Sequence, residues 1–169
     1  MIITTEEQNR LETIYQAFLN DEKILRMKDI SMHRGSNCYI HSFKVAKKAI
    51  KKSLNRKDVN LEVVLLGAIL HDYYLYDWRK DRSKRKGHGK NHPKIASANA
   101  SRDFDIPPEV KEVIETHMWP FNFKQYPHSR EAKLVANADN YVATVEALTS
   151  IAYKKKKREK YLAYIAHLF

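Results

Sequence analysis

The stretch Leu61-Glu62-Val63-Val64-Leu65-Leu66-Gly67-Ala68-Ile69-Leu70 is apolar almost all round and runs directly into His71-Asp72. With no polar stripe it is either a buried strand or a central helix. Length decides between them, because ten residues precede the His-Asp pair, whereas buried strands usually span roughly 4–8. The segment therefore predicts a central helix around which the rest of the chain packs. Its last two side chains then need a reason. An unpaired carboxylate at Asp72, behind Leu65, Leu66, Ile69 and Leu70, costs on the order of several kcal/mol unless a cation meets it or it stays protonated. A bound metal ion meets that requirement.

Working outward, the turn from Asn55 to Asn60 separates this helix from an earlier one that ends near Ser53. In that earlier helix Ile40, Phe43, Val45, Ala46 and Ile50 predict a buried stripe, and Lys44, Lys47, Lys48, Lys51 and Lys52 cover most of the remainder. The loop His33-Arg34-Gly35-Ser36-Asn37 ends in a candidate N-cap. Asp21 to Met27 is too short to assign. Thr4 and Glu7 form a capping-box pattern ahead of Leu11, Ile14, Tyr15, Phe18 and Leu19, whose spacing marks an amphipathic helix. On the other side, Arg79 to Lys90 reads as a basic loop with two glycines. Pro93, in a first helical turn, begins a helix carrying Ile95, Ala96 and Ala100. Pro107-Pro108-Glu109 begins the next, Arg130 to Ser150 supplies a long one, and Tyr153 to Leu168 a basic final one. No segment alternates for long enough to make a sheet, no repeat is visible, and only 4 glycines are present. The expected architecture is an all-α bundle of about seven to eight helices.

At 169 residues and 43% hydrophobic, the chain suits one domain, residues 1–169, with a core that needs no staples. The formal charge of +11 favours anionic partners: phosphorylated small molecules, nucleic acid or an anionic membrane surface. The single cysteine, Cys38, excludes an internal disulfide framework, and the first residues lack the form of a secretory signal. The longest apolar run, Val63 to Leu70, falls far short of the roughly 20 residues a membrane helix needs. A cytoplasmic location and no membrane span are the expectation.

Five places along the chain put a His or Asp in or beside a helix: His41, His71-Asp72, His92, His117 and Asp139. Their separations of 30, 21, 25 and 22 residues each amount to one helix and one connection, so neighbouring helices can aim all six side chains at one interior site. Imidazole and carboxylate together suit a borderline transition metal.

The order His, His-Asp, Asp, here His41, His71-Asp72 and Asp139, resembles the HD superfamily of metal-dependent phosphohydrolases, named for its adjacent His-Asp pair. His41-Ser42-Phe43-Lys44-Val45-Ala46 is similar to the family's first-histidine helix, and Gly67-Ala68-Ile69-Leu70-His71-Asp72 to its dyad helix. His92-Pro93 and His117 fall where members that hold two metals carry two further histidines, among them the HD-GYP cyclic dinucleotide phosphodiesterases and related nucleotide hydrolases. The resemblance covers about 37–145, with the basic helix of about 153–168 appended. It implies a single HD domain and two divalent transition-metal ions (Fe, Mn, Zn, Ni or Co). His41, His71, Asp72 and Asp139 would hold one ion. His92, His117 and a bridging Asp72 would hold the other. Ions roughly 3.5–4 Å apart would then activate a shared hydroxide as the nucleophile.

Two departures narrow the substrate. Where many members continue the dyad as His-Asp-Ile-Gly-Lys, this chain has Tyr73-Tyr74-Leu75, so a lysine those relatives place near the phosphate is absent. Met118-Trp119-Pro120 replaces the HD-GYP signature, which argues against cyclic dinucleotide hydrolysis. Trp119, Phe121 and Phe123 read either as plain core or as the wall of a pocket that stacks a base. The Arg79 to Lys90 loop lies between the dyad and His92, so its cations, with Arg79 and Lys90 at its ends, are candidates to clamp a substrate phosphate; the alternative is a solvated loop. His88 is the candidate proton donor to the leaving oxygen, since its ordinary pKa suits that task. With Asp72 as the bridging catalytic carboxylate, the expected activity is hydrolysis of a phosphoester of a nucleotide or other small phosphorylated compound. The rival is a non-catalytic HD module that binds a nucleotide or nucleic acid as a sensor, on the lysine-rich surfaces Lys44 to Lys52 and Lys154 to Lys160. Nucleic acid is disfavoured because no separate recognition motif is visible, and hydrolysis is favoured because all six ligand positions are filled.

Overall fold

A computed structural model describes residues 3–32 and 36–166, with side chains described as far as Tyr153. Among the described residues there are eight α-helices, one 3₁₀ turn and no strand. The all-α expectation holds. Helix α1 (Thr5–Asn20) is capped as its sequence implies, with the Glu7 backbone N–H donating to Thr4 Oγ1 at 3.1 Å. Its Leu11, Ile14, Tyr15, Phe18 and Leu19 pack against the core. The unassigned segment becomes α2 (Glu22–Leu25) and a 3₁₀ turn (Arg26–Asp29), which bury Ile24 and Met27.

Helix α3 (Cys38–Ser53) starts at Asn37, whose side chain accepts from the Ile40 N–H at 2.9 Å. It buries His41, Ser42, Val45, Ala46 and Ala49. One member of the expected stripe is corrected: Ile40 is exposed. At 3.6 residues per turn it lies nearly opposite Ser42, so a helix that turns His41, Ser42 and Val45 inward must turn Ile40 out. Helix α4 (Leu61–Leu70) is the central element, capped by Asn60 and packed against α3, α7 and α8. It meets α7 (Pro108–Thr116) closely at Gly67, where an added Cβ would come 2.8 Å from Val113 Cβ.

The other corrections concern boundaries. The basic loop between Arg79 and Lys90 contains α5 (Arg82–Arg85), and α6 (His88–Phe104) begins before Pro93, which therefore lies inside the helix. Gly87, at φ 79°, turns the chain into α6 through a conformation that costs glycine little. The two expected C-terminal helices are one continuous helix, α8 (Arg130–Ala166). No glycine or proline occurs between 130 and 166, and the Lys/Arg/Glu run has good helix propensity, so nothing interrupts it. The side chains of the Lys154 to Lys160 surface, His33-Arg34-Gly35 and Leu168 lie outside the described residues. No helix among the described residues is long and apolar enough to cross a membrane.

Candidate metal centre and its cavity

The bundle delivers the six side chains from five elements: His41 from α3, His71 and Asp72 just past α4, His92 from α6, His117 just past α7, and Asp139 from α8. All six are buried, at 9% exposure or less. Their ligating atoms fall into three overlapping groups, His41 with His71 and Asp72, His71 with His117 and Asp139, and Asp72 with His92 and His117; within each group the atoms lie within 4.8 Å of one another. Asp72 belongs to two of the groups, the position a shared carboxylate requires.

Tautomers decide what such a cluster can hold. His71 Nδ1 lies 2.8 Å from the Ala68 carbonyl, His117 Nδ1 2.7 Å from that of Ile114, and His92 Nδ1 3.0 Å from that of His88. A carbonyl oxygen only accepts, so each Nδ1 carries a proton, and in the neutral ring each Nε2 then presents a lone pair inward. His71 Nε2 is buried with no hydrogen-bond partner at all. His92 Nε2 and His117 Nε2 face each other at 3.0 Å. Burial, reinforced by the neighbouring His71 and His92, lowers the His117 pKa to about 3, so no proton rests on its Nε2 at neutral pH. Lone pairs converging on two buried carboxylates call for a cation. The residues fit divalent transition metal.

Asp72 Oδ1 lies 3.3 Å from His92 Nε2 and 3.7 Å from His117 Nε2, and its Oδ2 lies 3.4 Å from His71 Nε2. Burial favours its protonated form, but the surrounding His71, His92 and His117 outweigh that and hold it well below the ordinary carboxylate range. His41 is bound on both sides, with Nε2 2.9 Å from Asp139 Oδ1 and Nδ1 3.0 Å from Glu146 Oε2. Burial works against its charged form, yet the two carboxylates raise its pKa to about 10. A metal at Nε2 therefore has to displace a proton from this ring.

Glu146 is the residue that sequence reasoning missed. It is buried on α8 and also bonds Lys44 Nζ at 2.7 Å and Ser36 Oγ at 3.2 Å. Burial pushes its pKa up, but the bonds from His41 and Lys44 bring it down to about 2, so it is a carboxylate at working pH. The available signal was its spacing, seven residues beyond Asp139 and so two turns further along the same face.

Above the cluster opens a cavity of about 230 Å³, walled by Met32, Tyr74, Trp78, Met118 and Phe121 and edged by Arg79 and His88. The Arg79 guanidinium donates to the Ser31 carbonyl at 2.6 Å and lies 4.2 Å from the Trp78 ring centre, which fixes a cation at the rim. Lys90 does not line this cavity but the groove beside it. Arg82, Lys84, Arg85 and Lys86 are exposed and line neither. His88 stacks between Trp78 and His92, at 4.9 and 4.7 Å. Burial, reinforced by the neighbouring His92, lowers its pKa to about 4. A ring that is neutral at pH 7 is a weaker proton donor than the imidazolium that role calls for. Its Nδ1 lies 2.8 Å from the Tyr76 hydroxyl. The aromatic trio is corrected, because Trp119 turns away to meet Tyr126 edge-on at 5.6 Å, whereas Phe121 lines the cavity.

The fold and the cluster together define an all-α protein built around a buried His/Asp centre able to hold metal. Residues 38–144 match the HD domain, well over half of the chain and a span that contains all six cluster residues, and the chain belongs to that family. No curated protein and no solved structure gives a significant match.

Proposed function

We propose that the protein is a metal-dependent phosphohydrolase acting on a small phosphorylated compound, with a nucleotide the favoured class. The observation that carries the reading is the set of three histidines whose Nδ1 protons are fixed by backbone carbonyls, so that their Nε2 atoms converge with Asp72 and Asp139 beneath a cavity edged by a cation. His41, His71, Asp72 and Asp139 would hold one ion, and Asp72, His92 and His117 a second. When bound, divalent ions supply Lewis-acid polarisation of the phosphoryl group and acidify water for attack.

The chain's own residues do the rest. Arg79, anchored to Ser31 and stacked on Trp78, receives an anionic phosphoryl oxygen with little reorganisation. Met32, Tyr74 and Met118 line the cavity with apolar surface, which limits water around the reacting phosphorus and so strengthens each charge interaction there. In the hydrolysis the water oxygen forms a bond to phosphorus, the ester P–O bond breaks, and the proton released by water ends on the leaving oxygen. Neutral His88 shares a hydrogen bond between its Nδ1 and the Tyr76 hydroxyl, and in the tautomer with its N–H on Nε2 it would offer a hydrogen bond to that oxygen.

The test is a panel of phosphomonoesters, phosphodiesters and pyrophosphates, run with the purified protein supplied with manganese, iron or nickel. Release of phosphate or alcohol, abolished by a chelator and restored by metal, is the expected outcome. If metal-replete protein at high concentration cleaves nothing on the panel, the hydrolase reading fails.

A further inference from the structure

Beside the metal cavity runs a groove of about 360 Å³. It shares Gly89, Met118 and Phe121 with the cavity and adds Lys90, Phe123 and Lys124. Phe121 and Phe123 are 78% and 74% exposed. Burying a phenylalanine would stabilise the fold by roughly 1.5–3 kcal/mol, so two left in water beside a site need a reason.

Their position is held firmly. The Asn122 N–H donates to the Met118 carbonyl at 2.9 Å, and Asn122 Nδ2 donates to Gln125 Oε1 at 2.6 Å. Asn140, the neighbour of Asp139, donates from Nδ2 to the Trp119 carbonyl at 2.9 Å. The turn that displays the rings is thus tied to the helix that supplies a cluster residue. Two lysines and no carboxylate line the groove, so its charge is wholly positive.

Resting on the phosphohydrolase reading, we infer that this groove seats the organic part of the substrate, a nucleoside carrying more than one phosphate. The base stacks on Phe121 and Phe123, a contact worth about 1–3 kcal/mol for each base. One phosphate reaches the cluster through the shared wall, and a second pairs with Lys90 and Lys124. The groove's volume falls within the roughly 300–1,000 Å³ range of small-molecule sites. This places Lys90 in recognition of the substrate away from the reacting phosphorus, and it accounts for aromatic side chains that the core leaves out.

The experiment compares kcat/KM of the manganese-loaded full chain for adenosine 3′,5′-bisphosphate, adenosine 5′-monophosphate and glycerol 3-phosphate. The expected order is bisphosphate, monophosphate, glycerol phosphate, with at least tenfold at each step. Phe121→Ala with Phe123→Ala should reduce the preference for adenosine monophosphate over glycerol phosphate at least tenfold. Lys90→Ala with Lys124→Ala should reduce the preference for bisphosphate over monophosphate at least fivefold. Circular dichroism should show both double variants as helical as wild type, since all four side chains are exposed. If wild type cleaves glycerol phosphate as efficiently as the nucleotides, or the preferences survive in the variants, the groove assignment is overturned while the hydrolase reading stands. If none of the three is cleaved, the wider phosphoester panel judges the hydrolase reading and equilibrium dialysis of the bisphosphate judges the groove alone. Binding that weakens tenfold in each double variant supports the assignment, and absence of binding to wild type overturns it.

Discussion

Asp72 shows how far single residues can be read. A carboxylate at the end of an apolar run has no inexpensive neutral explanation, and in the structure it is buried among three imidazoles, where a cation is required. The six cluster residues were legible because His and Asp are chemically unusual inside a bundle. Glu146 was not, since a lone glutamate on a helix looks like any solvated one until the fold turns it inward. Its bond to His41 Nδ1 fixes the ring that faces Asp139, and Lys44 keeps it charged. Such an outer carboxylate usually accounts for about 10–100-fold in metal affinity. Glu146→Gln should therefore weaken metal binding by about that factor, measured by competition with a chromophoric chelator, with helix content retained. Equal affinity in the two proteins would make Glu146 a structural bond and nothing more.

Among the elements, the central helix was legible because its length excluded a strand, and α1 and α3 because their caps are chemical. The end of the basic loop was not, because glycines at 87 and 89 signal a break where one of them only opens α6. The division between Ser150 and Tyr153 was not real, because a change in side-chain polarity does not end a helix unless the backbone is also interrupted. The contact between α4 and α7 is a different kind of feature. Gly67 reads as a weak point in a helix by propensity, yet it is there so that Val113 can seat against the α4 backbone. Both helices end at cluster residues, α4 at His71 and α7 at His117. Gly67→Ala gains helix propensity of about 0.8–1.0 kcal/mol but forces overpacking that typically costs about 1–3 kcal/mol. The expected outcome is lower stability to denaturant, by up to about 2 kcal/mol net, together with weaker metal retention as the helices move apart. Gly67→Ala with Val113→Ala should recover most of the retention, because it reopens the space. A single variant at least as stable as wild type would show that α7 shifts freely and that the close approach has no role in placing His117.

For the molecule as a whole, the cluster joins parts of the chain that share no short loop, from His41 in α3 to Asp139 in α8. The unfolded chain scatters these six residues over 99 positions, so a metal that binds them together binds the native state almost exclusively. Linkage then fixes the size of the effect, because free ion at about a hundred times its dissociation constant stabilises the fold by about 2.7 kcal/mol. In a chain of this length each kcal/mol moves the midpoint by about 2–4 °C. Thermal unfolding followed at 222 nm should thus occur about 5–10 °C lower in chelator than in excess manganese. The starting helical signal should match, since α3, α4 and α7 bury their apolar faces whether or not metal is present. Asp72→Ala removes a carboxylate that faces His71, His92 and His117, and should abolish most of the metal-dependent shift. If wild-type melting curves in chelator and in metal superimpose, the cluster does not hold manganese in the folded state, and protons on the surrounding imidazoles, not a metal, balance Asp72 and Asp139.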